Sequence, residues 1–257
     1  MTQDERLDYL LSCLLGERTD RDSIPVPDSI PARQRLLRAL MNVRPPIPAD
    51  PAFLQVQEEY LQAVRAEKGV TQPADLTLVR PGLYLWQGDI TTLAADAIVN
   101  AANSAMLGCF VPCHGCIDNA IHSAAGVQLR LECARIMAQQ QGEEPTGRAK
   151  ITKAYNLPCR YVLHTVGPII HGMVTRRDKE LLASCYRSCL ELAAVYGLKS
   201  VAFCCISTGE FHFPNEAAAR IAIRTVEDWQ REHPNGVEVI FNVFKDVDYE
   251  IYKRLLG

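Results

Sequence analysis

From Leu76 to Gly257, short apolar runs bounded by Gly or Pro alternate with longer amphipathic segments. The short runs are typical of β-strands and the longer segments of helices. Their alternation predicts a layered α/β fold around a mixed, largely parallel sheet. The predicted strands are 76–79, 83–87, 97–102, 150–156, 161–166, 200–207 and 237–244, and the predicted helices are 117–125, 127–141, 176–196, 214–232 and a last one from Asp248.

The first seventy residues instead show helical periodicity. Thr2 and Glu5 form a capping-box pattern before a first helix, and a second helix is predicted over 31–43. Asp50, followed by proline, is a favourable start for a third helix that ends near Gly69. We therefore expect an N-terminal helical extension over 1–70 and a main domain over 71–257.

Composition and charge exclude several classes of protein. A net charge of −3 argues against general nucleic-acid binding, and no apolar run is long enough to predict a membrane span. The acidic start lacks the basic leader of a signal peptide. The chain has 10 cysteines, and four of them lie in apolar stretches (Cys185, Cys189, Cys204 and Cys205). Buried free thiols fit a reducing compartment, so we expect a cytoplasmic protein.

One short loop, directly after the third predicted strand, carries Cys109, Cys113, His114 and Cys116. Thiolate and imidazole together suit Zn²⁺. A short loop supplies three ligands more easily than four, which leaves an open position as in catalytic zinc sites. Cys113 is the weakest candidate, because it is adjacent to His114 and the two cannot easily reach one ion. The alternative is a loop with buried thiols and a surface histidine.

Ligands of open α/β sheets bind outside the carboxyl ends of the strands. Polar and aromatic residues follow four of the predicted strands, at 88–90, 103, 207–211 and 242–244. The predicted helix from 117 also starts beside the cysteine-rich loop, and a helix N-terminus attracts phosphate. The sequence therefore predicts a phosphorylated or nucleotide-like ligand next to the metal.

Three separated motifs carry a family resemblance: GDITTLAADAIVNAAN (88–103), IDNAIHSAAG (117–126) and STGEFHFP (207–214). Together they resemble the macrodomain family of ADP-ribose-binding proteins. The insertion GCFVPCHGC and the helical extension are similar to the zinc-dependent macrodomains of microbes. That resemblance implies a three-layer α/β/α fold with a mixed central sheet. It also implies a zinc-dependent hydrolase that removes mono-ADP-ribose from Asp or Glu esters on proteins, with the ion held by Cys109, His114 and Cys116.

The resemblance also assigns roles along the ligand. Asp89, with the Ile90 backbone, is expected to bind adenine, and Phe244 to stack on it. Asn103 and Asp118 are the catalytic candidates at the distal ribose. The remaining substrate-binding candidates are Asn100 and, around the diphosphate, Ser207, Thr208, Gly209, Glu210 and Phe211.

Each role has a structural alternative. Asp89 and Asp118 could be helix N-caps, Asn103 could stabilise a turn, and the aromatic rings of Phe211 and Phe244 could belong to the core. Glu210 and His212 also depart from the small residues that the family commonly has in this loop. We expect His122 and His164 to be structural.

The implied partners are ADP-ribose and an ADP-ribosylated protein. The resemblance further implies a lipoyl-carrier protein as substrate and a sirtuin-like ADP-ribosyltransferase as its modifying enzyme. We expect a monomer that binds no membrane. Three other functions compete: a reader that binds ADP-ribose without cleaving it, a phosphatase of ADP-ribose 1″-phosphate, and, disfavoured by the charge, a zinc-stabilised nucleic-acid module.

Overall fold

The alternating segments fold into one sheet of seven strands. A computed structural model describes residues 1–234 and 236–257. The strands are β1 (Thr77–Arg80), β2 (Leu83–Gln87), β3 (Ala97–Ala102), β4 (Ala149–Lys153), β5 (Tyr161–Val166), β6 (Ser200–Phe203) and β7 (Glu238–Val243). Their order is β1-β2-β7-β6-β3-β5-β4. The five central strands are parallel, and β1 and β4 are antiparallel at the edges. The mixed, largely parallel sheet is confirmed.

Helices cover both faces of the sheet, which gives the three-layer α/β/α architecture. The helices are α1 (Gln3–Gly16), α2 (Ile30–Val43), α3 (Pro51–Lys68), α4 (Ile117–Ala125), α5 (Val127–Gln140), α6 (Arg176–Val195), α7 (Asn215–Glu232) and α8 (Asp246–Leu256). Helices α4 and α5 pack together, as do α6 with α7 and α7 with α8. The central strands are apolar because both of their faces are covered, and every residue of β6 is buried.

Three predicted boundaries are wrong by more than one residue. Strand β4 ends at Lys153 rather than 156, because Tyr155 adopts φ +54° in a turn. Strand β6 ends at Phe203 rather than 207, since Ser207 has φ +65° in a loop. Helix α8 begins two residues before Asp248, at Asp246, and both carboxylates then lie in its first turn, near the positive end of the helix dipole.

The N-terminal helices form an apolar cluster of their own. Thr2 and Glu5 make the predicted capping box of α1, and Asp50 caps α3 through the amide of Ala52. The cluster is built mainly from leucines, and Val127 of α5 joins it. Helix α2 also contacts α4, which brings the extension next to the cysteine-rich loop. The buried members are Leu7, Leu10, Leu11, Leu14, Leu37, Leu40, Met41, Phe53, Tyr60 and Val127.

The cysteines are all free. Cys185, Cys189 and Cys204 are buried, as predicted, whereas Cys205 is only half-buried. Within the described residues, no helix combines the length and apolarity needed to cross a bilayer.

Candidate functional site

A cleft of about 860 Å³ opens at the carboxyl ends of the parallel strands. The loops that follow β2, β3, β6 and β7 border it, as the strand-end argument predicts. Its volume is in the range of small-molecule and cofactor sites. The predicted residues that line it are Asp89, Ile90, Asn103, Cys109, His114, Cys116, Asp118, Ser207, Thr208, Gly209, Glu210, Phe211 and Phe244.

Three predicted metal ligands converge at one side of the cleft. One ligand atom from each of Cys109, His114 and Cys116 lies within 4.8 Å of the other two. Cys109 Sγ lies 3.6 Å from His114 Nδ1, close to the roughly 3.5 Å between two ligands of one tetrahedral zinc ion. All three residues are half-buried. Two thiols and an imidazole that point at one spot form a donor set that fits Zn²⁺.

Cys113 lies in the same loop but turns away from this cluster. Its thiol donates to the carbonyl oxygen of Arg35 at 3.3 Å, and its amide donates to Asn42 Oδ1 at 2.9 Å. The backbone there adopts φ +54°. The thiol of Cys113 and the imidazole of His114 therefore point to different places, as the sequence argument about adjacent residues predicts.

Cys116 is also the N-cap residue of α4. Its Sγ accepts a hydrogen bond from the amide of Asn119 at 3.4 Å. Burial raises the pKa of the Cys116 thiol to about 12, and the hydrogen bond from Asn119 opposes this. Without a bound cation the thiol is therefore protonated at neutral pH.

Asp118 is the second residue of α4 and is not the N-cap that the alternative interpretation proposed. Its Oδ1 accepts from Asn100 Nδ2 at 2.8 Å, and its Oδ2 accepts from Asn103 Nδ2 at 3.4 Å. Burial raises the pKa of the Asp118 carboxyl to about 6, although the Asn100 hydrogen bond and Arg130 act to lower it. The pKa of this carboxyl is thus close to the value that acid–base catalysis at neutral pH requires.

Asn100 differs from its predicted role. It is fully buried, and its amide contacts Asp118 and His164 Nδ1 (3.1 Å) rather than the cleft. Because the side-chain amide of Asn100 donates to Nδ1 of His164, the proton of the neutral ring is on Nε2. This nitrogen lies 2.9 Å from Thr152 Oγ1. Burial lowers the pKa of His164 to about 3, so the ring stays neutral. Asn100 therefore orients the Asp118 carboxylate from beneath.

A second group of metal-capable side chains, His122, Cys133 and His164, lies under this wall. All three are buried. Both ring nitrogens of His164 are engaged by Asn100 and Thr152, so no lone pair is free for an ion. Burial also lowers the pKa of His122. The structural interpretation of both histidines agrees with this geometry.

Asp89 lines the far end of the cleft and also caps a short 3₁₀ turn. Its Oδ1 accepts from the amide (3.0 Å) and hydroxyl (2.6 Å) of Thr91, and its Oδ2 from Lys68 Nζ at 3.2 Å. Burial acts to raise its pKa, but these hydrogen bonds and Lys68 together lower it. Asp89 is therefore an ionised acceptor at the cleft, beside the buried side chain of Ile90.

The loop after β6 presents free polar groups to the cleft. The amides of Gly209, Glu210 and Phe211 have no protein acceptor in the part of the chain that the structure describes. Ser207 Oγ is buried and likewise has no partner among the described residues. A Cβ at Gly167 would lie 2.0 Å from this hydroxyl oxygen, so glycine leaves room for the hydroxyl in its present position. Convergent donors without partners suit an anionic group such as a diphosphate.

Phe244 follows β7 at the rim of the cleft. Its side chain is 75% exposed, so the core interpretation of this residue is wrong. Phe211 is half-buried, and its carbonyl oxygen accepts from the amide of Ile170 at 2.9 Å. Asn103 accepts from Ala105 and donates to Gly108, so it stabilises its turn as well as facing Asp118.

The comparisons with known proteins agree with this geometry. A family model described as Macro domain matches residues 99–222. A "Protein-ADP-ribose hydrolase" of Treponema medium is 54% identical over 261 residues, covering all of both chains. The chain belongs to the macrodomain family.

Two further relatives of this macrodomain extend the comparison. A "Protein-ADP-ribose hydrolase" of Staphylococcus aureus (strain MSSA476) is 49% identical over 251 residues, covering 97% of this chain and 94% of the relative. The crystal structure of a Trypanosoma brucei macrodomain in complex with ADP-ribose has a TM-score of 0.67 and 34% identity, covering 85% of this chain and 95% of the other. The shared fold confirms the predicted architecture.

Sequence reasoning missed several residues at or beside this macrodomain's cleft, and three of them bear on the site. Arg38 of α2 lines it, Lys68 at the end of α3 pairs with Asp89, and Gly167 leaves room for Ser207. Arg38 and Lys68 belong to the extension, whose role was not readable from its helical periodicity. The basic residues of α2 and of the last turn of α3 were the only sequence indication that the extension reaches the cleft. Exposed Lys and Arg are common on any helix, so this indication is weak.

Proposed function

We propose that this macrodomain hydrolyses the bond between mono-ADP-ribose and a modified protein side chain, with a carboxylate ester of Asp or Glu as substrate and zinc as cofactor. The convergence of Cys109, His114 and Cys116 beside the buried carboxylate of Asp118 carries the proposal. The names of the Treponema medium and Staphylococcus aureus relatives support the hydrolysis of protein-linked ADP-ribose.

The free polar groups suggest how ADP-ribose lies in the cleft. Asp89 accepts from the adenine amino group, and exposed Phe244 stacks on the ring. The loop 207–211 donates its free amides to the diphosphate. This order leaves the distal ribose beside Asn103 and Asp118, on the side of the cleft that carries the cysteine-rich loop.

The chemical step needs an acceptor for one proton. Zinc supplies Lewis acidity toward an oxygen atom of the substrate or of water when it is bound. The oxygen of a water molecule forms a bond to the anomeric carbon, and the bond from that carbon to the protein carboxylate breaks. Asp118 accepts the proton that the water loses, and Asn103 and Asn100 hold its two oxygens in place.

The sequence resemblance also suggests a protein substrate and the enzyme that modifies it. We propose an ADP-ribosylated lipoyl-carrier protein as substrate and a sirtuin-like ADP-ribosyltransferase as the enzyme that modifies it. A monomeric state and a cytoplasmic location remain predictions.

Metal analysis combined with a cleavage assay tests the proposal. The purified chain is incubated with a Glu-ADP-ribosylated protein, with and without a chelator, and free ADP-ribose is measured. We expect one zinc per chain, release of ADP-ribose, and loss of release after chelation that added zinc restores. Full activity of a metal-free preparation would contradict the zinc mechanism. Binding of ADP-ribose without any release identifies a reader instead, and phosphate release from ADP-ribose 1″-phosphate alone identifies a phosphatase.

A further inference from the structure

The loop that carries the metal ligands, residues 109–116 (the metal loop), has little structure of its own. One backbone hydrogen bond, from the amide of His114 to the carbonyl oxygen of Val111 at 3.2 Å, closes a turn inside it. A loop of this kind loses conformational entropy when its ligands converge. Contacts from outside the loop must therefore hold it.

Arg38 of α2 makes the first of these contacts. Its Nη2 donates to the carbonyl oxygen of His114 at 3.0 Å and to Asn119 Oδ1 at 2.7 Å, and Nε also reaches Asn119 Oδ1 at 3.2 Å. The side-chain Nδ2 of the fully buried Asn119 donates in turn to Val111 O at 3.0 Å. Arg38 therefore connects the ligand His114 to Asn119 of α4, and the side chain of Asn119 connects α4 to Val111 in the middle of the metal loop.

Asn42, one turn further along α2, makes the second contact. It is 1% exposed, accepts from the amide of Cys113 and donates to Ser123 Oγ at 2.9 Å. Cys113 has the left-handed φ of +54°, which costs free energy for a residue with a side chain. The hydrogen bonds to Asn42 and to the Arg35 carbonyl hold it in that conformation, and this keeps its thiol away from the ligand cluster.

Helix α2 is itself fixed to the main domain. Arg130 of α5 donates to the carbonyl oxygens of Met41 (3.0 Å) and Arg44 (2.5 Å) at the end of α2. The same guanidinium donates to Leu107 O at 2.7 Å, just before the metal loop. Arg130 therefore holds the end of α2 and the entrance of the metal loop at one fixed spacing.

We propose that helix α2 holds the metal loop in its ligand-binding conformation before the ion binds. Arg38 and Asn42 are then positioning residues for the ligand His114. The N-terminal extension then controls how tightly the macrodomain holds its metal ion. The inference rests on the proposed zinc site and adds a role for the extension. Without these contacts the ligands converge in only a fraction of molecules, and the apparent affinity falls by that fraction.

Cobalt binding to the full-length chain tests this. The variants are Arg38→Gln and Asn42→Ala, and the matched control is Arg35→Gln, which removes an equal charge from the exposed side of the same helix. We expect the thiolate–cobalt absorption band to titrate with a Kd raised about 10- to 100-fold in both variants, the range for groups that orient metal ligands. The control should bind as the parent does.

Hydrogen exchange of the metal-free proteins gives a second readout. The amide of Cys113 should exchange faster in Asn42→Ala than in the parent, while circular dichroism shows the same helix content. If Arg38→Gln does not fold, Arg38→Lys replaces it, because it keeps the charge without the two-acceptor geometry. Parental cobalt affinity in Arg38→Gln or its replacement, together with unchanged Cys113 exchange in Asn42→Ala, overturns this inference alone. A parent chain that takes up neither cobalt nor zinc overturns the metal site as well.

Discussion

The two loops that face each other across the cleft are built in different ways. The metal loop is held by side chains of α2 and α4. The loop 205–213, after β6, is held by its own backbone: Thr208 donates to Cys205 (3.4 Å), His212 to Gly209 (3.1 Å) and Phe213 to Ser207 (2.9 Å). One loop therefore depends on residues about 70 positions away, and the other depends mainly on its own sequence.

The difference shows in the groups that each loop leaves free. In the metal loop the amide of Cys113 and the carbonyls of Val111 and His114 are used by the protein, and two thiols and an imidazole are left. In the loop 205–213 side chains contribute little, and amides and a hydroxyl are left. The first arrangement suits a cation and the second an anion. The following substitutions test that division, from the largest expected effect to the smallest.

Replacement of Cys116 by alanine removes a proposed direct ligand. We expect zinc content and ADP-ribose release to fall by more than about 100-fold, beyond the range for groups that only orient ligands. Cys113→Ser is the matched control from the same loop, because its hydroxyl can still donate to the Arg35 carbonyl, and it should keep its metal. Metal analysis and the release assay give the result, and circular dichroism verifies the fold. Equal zinc content in both variants would mean that Cys116 is not a ligand.

Gly167→Ala tests the loop 205–213, the side of the cleft that we expect to bind the anionic diphosphate. The added Cβ would meet Ser207 Oγ at 2.0 Å and Ile206 Cγ2 at 2.9 Å, so these two side chains of the loop after β6 must move. We expect a rise of about 10- to 100-fold in the Kd for ADP-ribose, the range for one lost hydrogen bond to a charged group, with zinc content unchanged. Gly172→Ala is the control, because a Cβ there meets nothing within 4 Å. Calorimetric titration with ADP-ribose measures both, and loss of zinc in Gly167→Ala would show that the two sides are not independent.

Phe244→Ala tests the adenine end of the cleft. Because the ring is 75% exposed, its removal should leave thermal stability unchanged. ADP-ribose binding should weaken about 10-fold, within the roughly 1–3 kcal/mol of a base–aromatic stack. Val247→Ala, a nearby exposed apolar residue of α8, should bind as the parent does. Parental affinity in Phe244→Ala would place the adenine elsewhere.

Glu210 joins the two loops, since its Oε1 lies 3.6 Å from His114 Nε2. A carboxylate behind a ligand histidine strengthens metal binding, but this one is 66% exposed. We therefore expect Glu210→Gln to raise the Kd for cobalt only about threefold, as for an exposed ion pair below about 1 kcal/mol. A larger loss, measured by the same cobalt titration, would show that the anion side also shapes the metal side.

Much of this arrangement was predictable from the sequence because it depends on local pattern. Periodicity predicts the helices, and Gly or Pro bounds most of the strands. The four metal-capable residues within eight positions predict a ligand cluster, the family resemblance selects Cys109, His114 and Cys116 among them, and strand ends predict the cleft. The errors lie where the backbone enters the left-handed region at Tyr155 and Ser207, which apolar periodicity does not indicate. The family resemblance assigns Asn100 to the substrate, whereas its side chain is fully buried and donates to Asp118 from beneath the cleft.

By itself the sequence determined the α/β layers, the family and the residue types of the metal loop, since each follows from spacing along the chain. Only the tertiary structure decided that Cys113 turns toward Arg35, that Asn100 supports Asp118, and that Arg38 and Asn42 reach the metal loop from α2. These contacts join residues far apart in the chain, and such distances are set by the packing of helices on the sheet. Periodicity assigns a residue to a helix, but it does not specify which loop that helix will hold.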